Sequence, residues 1–382
     1  MMGTPLKTDA DRLRDAMNEQ RKLQRELTAS RALVRKLEVK EDTAESIRKI
    51  MFGIAERDPA PPKWVNGKGI PNGERGGPVL MISDIHHGER VSKDETKGLN
   101  EFNARISAER LKRLFSTTID LSHNHMGRPN VKYPGIVVCL GGDLLGGDIH
   151  EELMVTNDRT PQQAVDELTD LLAAGIKQLE AAFGRVFVVS VVGNHGRGTL
   201  KPRSKGAVYT NFDWLISCNL KRYFEGHIDP FTGAQVKGCS ENVNFLIPPD
   251  PDAYFSVYGT RFLLTHGDRM GVKGGDGIIG ALGPIARGTV KIGNSYRHIG
   301  VDFDFLLGGH YHQLLWLPNA IFNGCVKGYD EYARLVLRAS YDRPTQALFF
   351  VHPEHGITAR WAVYLEGRRR ANQDKRWTSW PA

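Results

Sequence analysis

The stretch IVVCLGGD, residues 136–143, decides how the whole chain reads: a short, mostly β-branched apolar run that stops in two glycines and an aspartate. Such a run bounded by a turn signal predicts a buried strand, and the glycines let the backbone turn sharply and present Asp143 beyond its end. The same pattern recurs on both sides. Val79 to Ile82 runs into Ser83-Asp84-Ile85-His86, and Val186 to Val192 into Gly193-Asn194-His195. Phe262 to Leu264 runs into Thr265-His266-Gly267-Asp268, and Phe303 to Leu307 into Gly308-Gly309-His310-Tyr311-His312. Helical periods separate the runs: Ala104 to His123, Pro161 to Phe183 with Thr160 as cap, and Asn211 to Phe224. After Leu317, further strands are expected at Tyr332 to Arg338, Ala347 to Val351 and Ile357 to Tyr364. Strands alternating with helices predict an α/β fold of packed layers.

In an open α/β sheet, ligands bind beyond the carboxyl ends of strands, so these segments are expected to deliver their polar ends to one crevice. Carboxylate, imidazole and amide oxygen are the ligands that hard and borderline divalent metals take, with no thiolate required. In order, D-x-H, G-D, G-N-H, a lone His and G-H-x-H resemble the calcineurin-like metallophosphoesterase superfamily, over about Pro78 to Trp316. The resemblance implies a two-sheet sandwich flanked by helices and a centre of two divalent ions, manganese foremost, with iron, zinc, cobalt or nickel as alternatives. Carried over residue by residue, it places Asp84, His86 and His312 on one ion and Asn194, His266 and His310 on the other. By the same resemblance Asp143 bridges them, a hydroxide is the nucleophile, and His195 binds no metal but faces the substrate phosphate as general acid or transition-state stabiliser. The chain departs from the family at Gly146 and Gly196, where many members carry acids. Either Asp148 or a backbone carbonyl is expected to orient His195 instead.

Within the superfamily, the sequence looks most like DNA-repair exonucleases and bacteriophage-encoded members. This implies a phosphodiesterase or nuclease acting on nucleic acid, the expected partner. The alternatives are a phosphomonoesterase or small-nucleotide phosphodiesterase and, from a different class, a non-catalytic nucleic-acid-associated scaffold. A net charge of +7 favours an anionic partner. Gly267 to Gly300 carries ten glycines and five Lys or Arg residues and reads as a flexible cationic loop, with Arg269 as a substrate contact. Arg197, Lys201, Arg203 and Lys205 follow His195 and are further candidates for the flanking phosphates. Gly275 to Gly280 matches G-x-G-x-x-G, but no strand immediately precedes it, so dinucleotide binding is set aside. His87 reads as a turn cap, a solvent-facing residue or a substrate contact.

The remaining features bound the protein class. Hydrophobic residues at 40% and charged ones at 25% of 382 residues exclude wholesale disorder. The four cysteines are too scattered for a zinc ribbon or disulfide framework and are read as reduced. No apolar run is long enough to span a membrane, and a cytoplasmic protein without membrane association is expected. Residues 1–58 form an expected helical segment with near-heptad spacing (Leu13, Ala16, Gln20, Leu23, Leu27, Ser30, Val34, Leu37), a candidate homo-oligomer contact. Prolines 59, 61 and 62 end it. The catalytic domain is placed at 59–365 and a basic tail at 366–382.

Overall fold

The computed structural model describes residues 62, 64–65, 76–125, 133–270 and 282–367. The expected N-terminal helix, the G-x-G-x-x-G segment and nearly all of the basic tail lie outside them. The described residues form a mixed α/β fold of three sheets and six helices. In chain order these are β1 (Gly77–Ile82), α1 (Ala104–His123), β2 (Ile136–Leu140), α2 (Glu151–Thr156), α3 (Pro161–Phe183), β3 (Val186–Ser190), α4 (Phe212–Glu225), β4 (Gly226–Ile228) and β5 (Gln235–Lys237). Then follow β6 (Val243–Leu246), β7 (Ala253–Val257), β8 (Thr260–Leu264), α5 (Leu282–Arg297), β9 (Phe305–Gly308), β10 (Leu315–Trp316), β11 (Ala320–Phe322), α6 (Glu331–Leu335), β12 (Thr345–His352) and β13 (Gly356–Tyr364).

The larger sheet has the order β13-β12-β1-β2-β3-β6, and the smaller β10-β11-β9-β8-β7; β4 and β5 form a separate hairpin. Strands β1, β2, β3 and β6 run parallel, as do β8, β9 and β11. Strand periodicity sorts the side chains into layers. Leu80, Ile82, Val138, Leu140 and Val188 join the core formed with α1, α3 and α4, while Val79, Met81, Val137, Phe187 and Val189 point the opposite way. There they meet Phe255, Phe262, Leu264 and Ile321 of the smaller sheet. The far face of that sheet packs Leu263, Leu306 and Phe322 against Ile285 of α5 and Met270. Buried on both faces, the parallel strands are therefore continuous apolar runs rather than alternating ones.

Helix caps agree with the sequence pattern. Thr160 and Gln163 form a reciprocal capping box at α3, Asn103 caps α1, and Asn211 caps α4 through the Asp213 N–H. Two expectations need correction. Tyr332 to Arg338 is not a strand: Asp330 caps a helical turn there, and Tyr332, Leu335, Val336 and Leu337 are exposed, so no sheet neighbour buries the apolar run. Gly267 to Gly300 is not all loop, since α5 occupies 282–297. Its glycines are compatible with helix because packing compensates their entropy; a Cβ at Gly288 would stand 2.6 Å from Met270 Cε. No described helix is long and apolar enough to cross a membrane.

Candidate metal centre

The carboxyl ends of β1, β2, β3, β8 and β9 converge. His86 Nε2 and His312 Nε2 face each other at 3.1 Å, with Asp84 Oδ1 3.4 Å from the latter. Asp143 Oδ2 lies 3.0 Å from His266 Nε2, which is 3.2 Å from Asn194 Oδ1. The His266 and His310 ring centroids are 5.2 Å apart, and those of His86 and His195 are 4.4 Å apart. Asp84 links the two ends by accepting the His310 N–H at 2.9 Å, and Asp143 Oδ1 accepts the His195 N–H at 2.7 Å. All eight side chains expected from the sequence thus belong to one series of contacts.

The backbone is shaped for this. Asp84, His86, Asp143, His310 and His312 all have φ between 51° and 69°, five of the eight non-glycine residues with positive φ among those described. Each costs energy that surrounding hydrogen bonds must hold in place, and such strain concentrates at functional sites. Glycines supply the clearance: a Cβ at Gly309 would stand 2.3 Å from Asp84 Oδ2, and one at Gly193 would stand 2.1 Å from Asp143 Oδ1.

The donor chemistry fits a metal ion. Among the described residues, His86, His312 and Cys325 form one group that could hold an ion, Asp143, His266 and His310 another, and His86, Asp143 and His195 a third. Two imidazole nitrogens facing at 3.1 Å repel unless a proton or a cation lies between them. Metal–nitrogen bonds of about 2.0–2.1 Å in a tetrahedral site place two nitrogens ~3.3 Å apart, close to what is seen. His86 Nδ1 and Glu89 Oε2 are buried 3.1 Å apart but off the line of a hydrogen bond, so neither has a hydrogen-bond partner. The Glu89 carboxylate thus stands behind the His86 ring on the side away from His312 Nε2.

Electrostatics separate the rings. Burial lowers His86 to about 4, reinforced by the Lys327 charge, and burial with the neighbouring His266 lowers His310 to about 4. Both are neutral, with a lone pair available, at pH 7. Burial also opposes charge on His266, but the Asp143 carboxylate more than offsets it and raises the ring to about 10. Asp143 is correspondingly held well below the ordinary carboxylate range against its own burial. Burial lowers His195 despite the nearby Asp143 and Glu89 charges.

His195 Nδ1 meets the Gly146 carbonyl at 2.7 Å, so of the two orienting groups expected it is the backbone that faces the ring. Asp148 instead lies 3.5 Å from Asn157 Nδ2. Arg197 donates to the Thr199, Asn194 and Leu200 carbonyls, bracing its own loop, and Arg269 pairs with Asp268 at 3.5 Å. His87 is buried between Ser107 and Glu167, which removes it as a cap, a solvent-facing residue or a substrate contact.

Several site residues had no sequence signal. Beneath Asp84, Ser83 Oγ donates to its Oδ2 at 2.5 Å, and Asn323 donates to Ser83 Oγ and to Gln346 Oε1. The Cys325 thiol donates to the Asp84 carbonyl at 3.2 Å. Lys327 joins Glu89 at 2.8 Å and Asp330 at 2.6 Å, and Asp213 accepts backbone N–H bonds under Asp143. Burial, with the Asp143 charge beside it, raises Asp213 to about 7. No protein-family model matches the chain, and no curated protein matches it closely enough to count as a relative.

Proposed function

We propose that this chain is a phosphoesterase that works with two divalent metal ions, built on the two-sheet sandwich of the calcineurin-like metallophosphoesterases, and that its substrate is a nucleic-acid phosphodiester. The observation that carries the reading is the convergence of eight side chains from five strand ends into one connected cluster of carboxylate, imidazole and amide donors. Asp84, His86 and His312 would hold one ion, Asn194, His266 and His310 the other, and Asp143 both. Bound there, the ions supply Lewis acidity toward the phosphate oxygens and toward the attacking water.

The chain's own groups do the rest. With Nδ1–H directed at the Gly146 carbonyl, His195 keeps Nε2 as the atom that gains or gives a proton. An anionic ester beside the ring counteracts the lowering caused by burial and favours the protonated form. Donation to the departing oxygen then contributes about 10²- to 10⁴-fold. Lys201, Arg203 and Lys205 are exposed on the loop that follows His195 and would meet the flanking phosphates, while Arg197 stiffens that loop.

The test is turnover of bis-aryl and mono-aryl phosphates with Mn²⁺, Mg²⁺ or chelator, followed by DNA, RNA and cyclic nucleotides. Metal-dependent cleavage of the diester and of nucleic acid is expected. Preference for the monoester or for a cyclic nucleotide would replace the substrate. Inertness of every ester under every divalent salt would refute the enzyme reading.

A further inference from the structure

Asp213 is fully buried in the first turn of α4, seventy residues from Asp143 in sequence. Its Oδ2 accepts the Asp143 N–H at 3.0 Å and the Gly193 N–H at 2.8 Å, and its Oδ1 accepts the Leu144 N–H at 3.1 Å. One carboxylate thus ties together the loops that leave β2 and β3, which carry Asp143 and the Asn194–His195 pair. Neighbouring groups reinforce the join. Asn211 Nδ2 donates to the Gly193 carbonyl at 2.7 Å, its Oδ1 accepts the Asp213 N–H at 2.8 Å, and the Phe212 N–H donates to the Gly196 carbonyl at 2.7 Å.

This explains why residue 196 is glycine. A Cβ there would stand 2.2 Å from Asn211 Oδ1 and 2.9 Å from Asp213 Cγ, so the start of α4 already occupies the space a side chain at 196 would take.

We infer that Asp213 is a positioning residue that sets the aim of Asp143 toward two neighbouring ion sites, an inference that rests on the two-ion reading above. A carboxylate shared by two ions about 3.5–4 Å apart reaches both, through one oxygen or two, only over a narrow range of orientations. Asp143 is held in one such orientation, with Oδ1 on the His195 N–H and Oδ2 on His266. Its own peptide N–H and the next one are both held by Asp213, so rotation of that peptide is restrained where it would matter most. Losing the restraint leaves each site most of its remaining ligands but misaligns the shared one. The pair of ions is therefore lost before single-ion binding is.

The experiment compares Asp213→Asn, Gly196→Ala and Ser217→Ala in the full chain. The amide of Asp213→Asn keeps the shape but must turn an NH₂ group on at least one backbone N–H. Gly196→Ala keeps the carboxylate but drives a methyl into Asn211 Oδ1, which holds the Asp213 N–H, and against Asp213 Cγ. Ser217→Ala removes a buried hydroxyl that donates to the Asp213 carbonyl at 2.8 Å and pairs with Ser190 Oγ at 2.6 Å while leaving the Asp213 carboxylate intact, and so controls for lost packing and hydrogen bonding beside it. Mn²⁺ stoichiometry by equilibrium dialysis, the spin-coupled signal of a Mn²⁺ pair by electron paramagnetic resonance, and melting in chelator are measured together.

The wild type and Ser217→Ala should bind two ions and show the coupled signal. Asp213→Asn and Gly196→Ala should retain one ion, bind the second at least about tenfold more weakly, and lose the coupled signal. If one of the two fails to fold, the other decides. A coupled pair of wild-type affinity in a folded Asp213→Asn or Gly196→Ala would overturn the inference while leaving the two-ion reading intact. Failure of the wild type itself to bind a coupled pair would overturn the two-ion reading, and the inference with it.

Discussion

Replacing Lys327 with methionine tests how the structure carries charge beneath the site. The Lys327 ammonium lies 2.8 Å from Glu89 and 2.6 Å from Asp330, and its side chain is 5% exposed against 7% and 10% for theirs. Lys327→Met keeps most of the apolar stem and deletes the cation, leaving two carboxylates in a desolvated site. Breaking a buried pair by removing one partner costs about 3–5 kcal/mol, which at about 1.4 kcal/mol per decade lowers the folded-to-unfolded ratio by roughly 10²- to 10⁴-fold. The pH dependence has a definite sign. Lys327 lowers the pKa of Glu89 and of Asp330 in the folded state, overcoming the burial that would raise them. Each therefore stabilises the fold fully above its ordinary value, 4.5 for Glu89 and 3.8 for Asp330, and loses that contribution as pH falls through the lowered folded value. In Lys327→Met, burial acts unopposed by the cation and raises both groups, so they take up protons first. The gap between wild type and variant should be widest at neutral pH and shrink steadily as pH falls through the variant's raised carboxylate values toward the wild type's lowered ones. Urea unfolding in chelator at pH 7, 5 and 3.5 measures it. A gap below ~1 kcal/mol at pH 7, or one that does not change with pH, would refute the buried-charge argument.

Other consequences follow at the site. Asp143→Asn should abolish ester turnover and weaken metal binding, while His195→Ala should retain metal and lose about 10²- to 10⁴-fold in rate; near-wild-type activity in Asp143→Asn, or equal metal loss in both, would reverse these roles. Gly309→Ala places a methyl 2.3 Å from Asp84 Oδ2 and should lower stability by about 1–3 kcal/mol together with metal affinity, seen as a lower melting temperature and a weaker Mn²⁺ isotherm. His266, raised to about 10 by Asp143 against its burial, should release a proton when metal binds at pH 7, so calorimetric heats should vary with buffer ionisation enthalpy. In the metal-free protein the same raised pKa stabilises the fold below about pH 6.5 and that contribution is lost as pH rises toward 10, which a pH series of melting temperatures would show.

Much of the cluster is legible in the sequence because each piece is local. An apolar run followed by Gly, Ser or Thr and then Asp, Asn or His announces both a strand and the side chain it presents, and β1, β2, β3, β8 and β9 all do so. Thr160 marks a helix start for the same reason: the capping oxygen and its N–H lie within three residues. The miss at Tyr332–Leu337 shows the limit of this reading. β-branched and aromatic residues signal a strand only when a sheet is there to receive them, and here Asp330 caps a turn in the open. The glycine-rich segment misleads in the opposite direction, because α5 is held by Met270 and Phe322 from elsewhere in the chain rather than by its own propensity.

Local pattern was enough for the five donor-bearing strands, the residues at their ends and α1, α3 and α4, since periodicity and turn chemistry act over a few residues. Only the tertiary structure decided that Asp213 accepts from the Asp143 peptide, that the Gly146 carbonyl rather than Asp148 meets His195, and that Lys327 is buried against Glu89. Those partners are brought together by which strands pair and how the layers stack. A hydrogen bond depends on tenths of an ångström between groups that the chain separates by 49 to 238 residues.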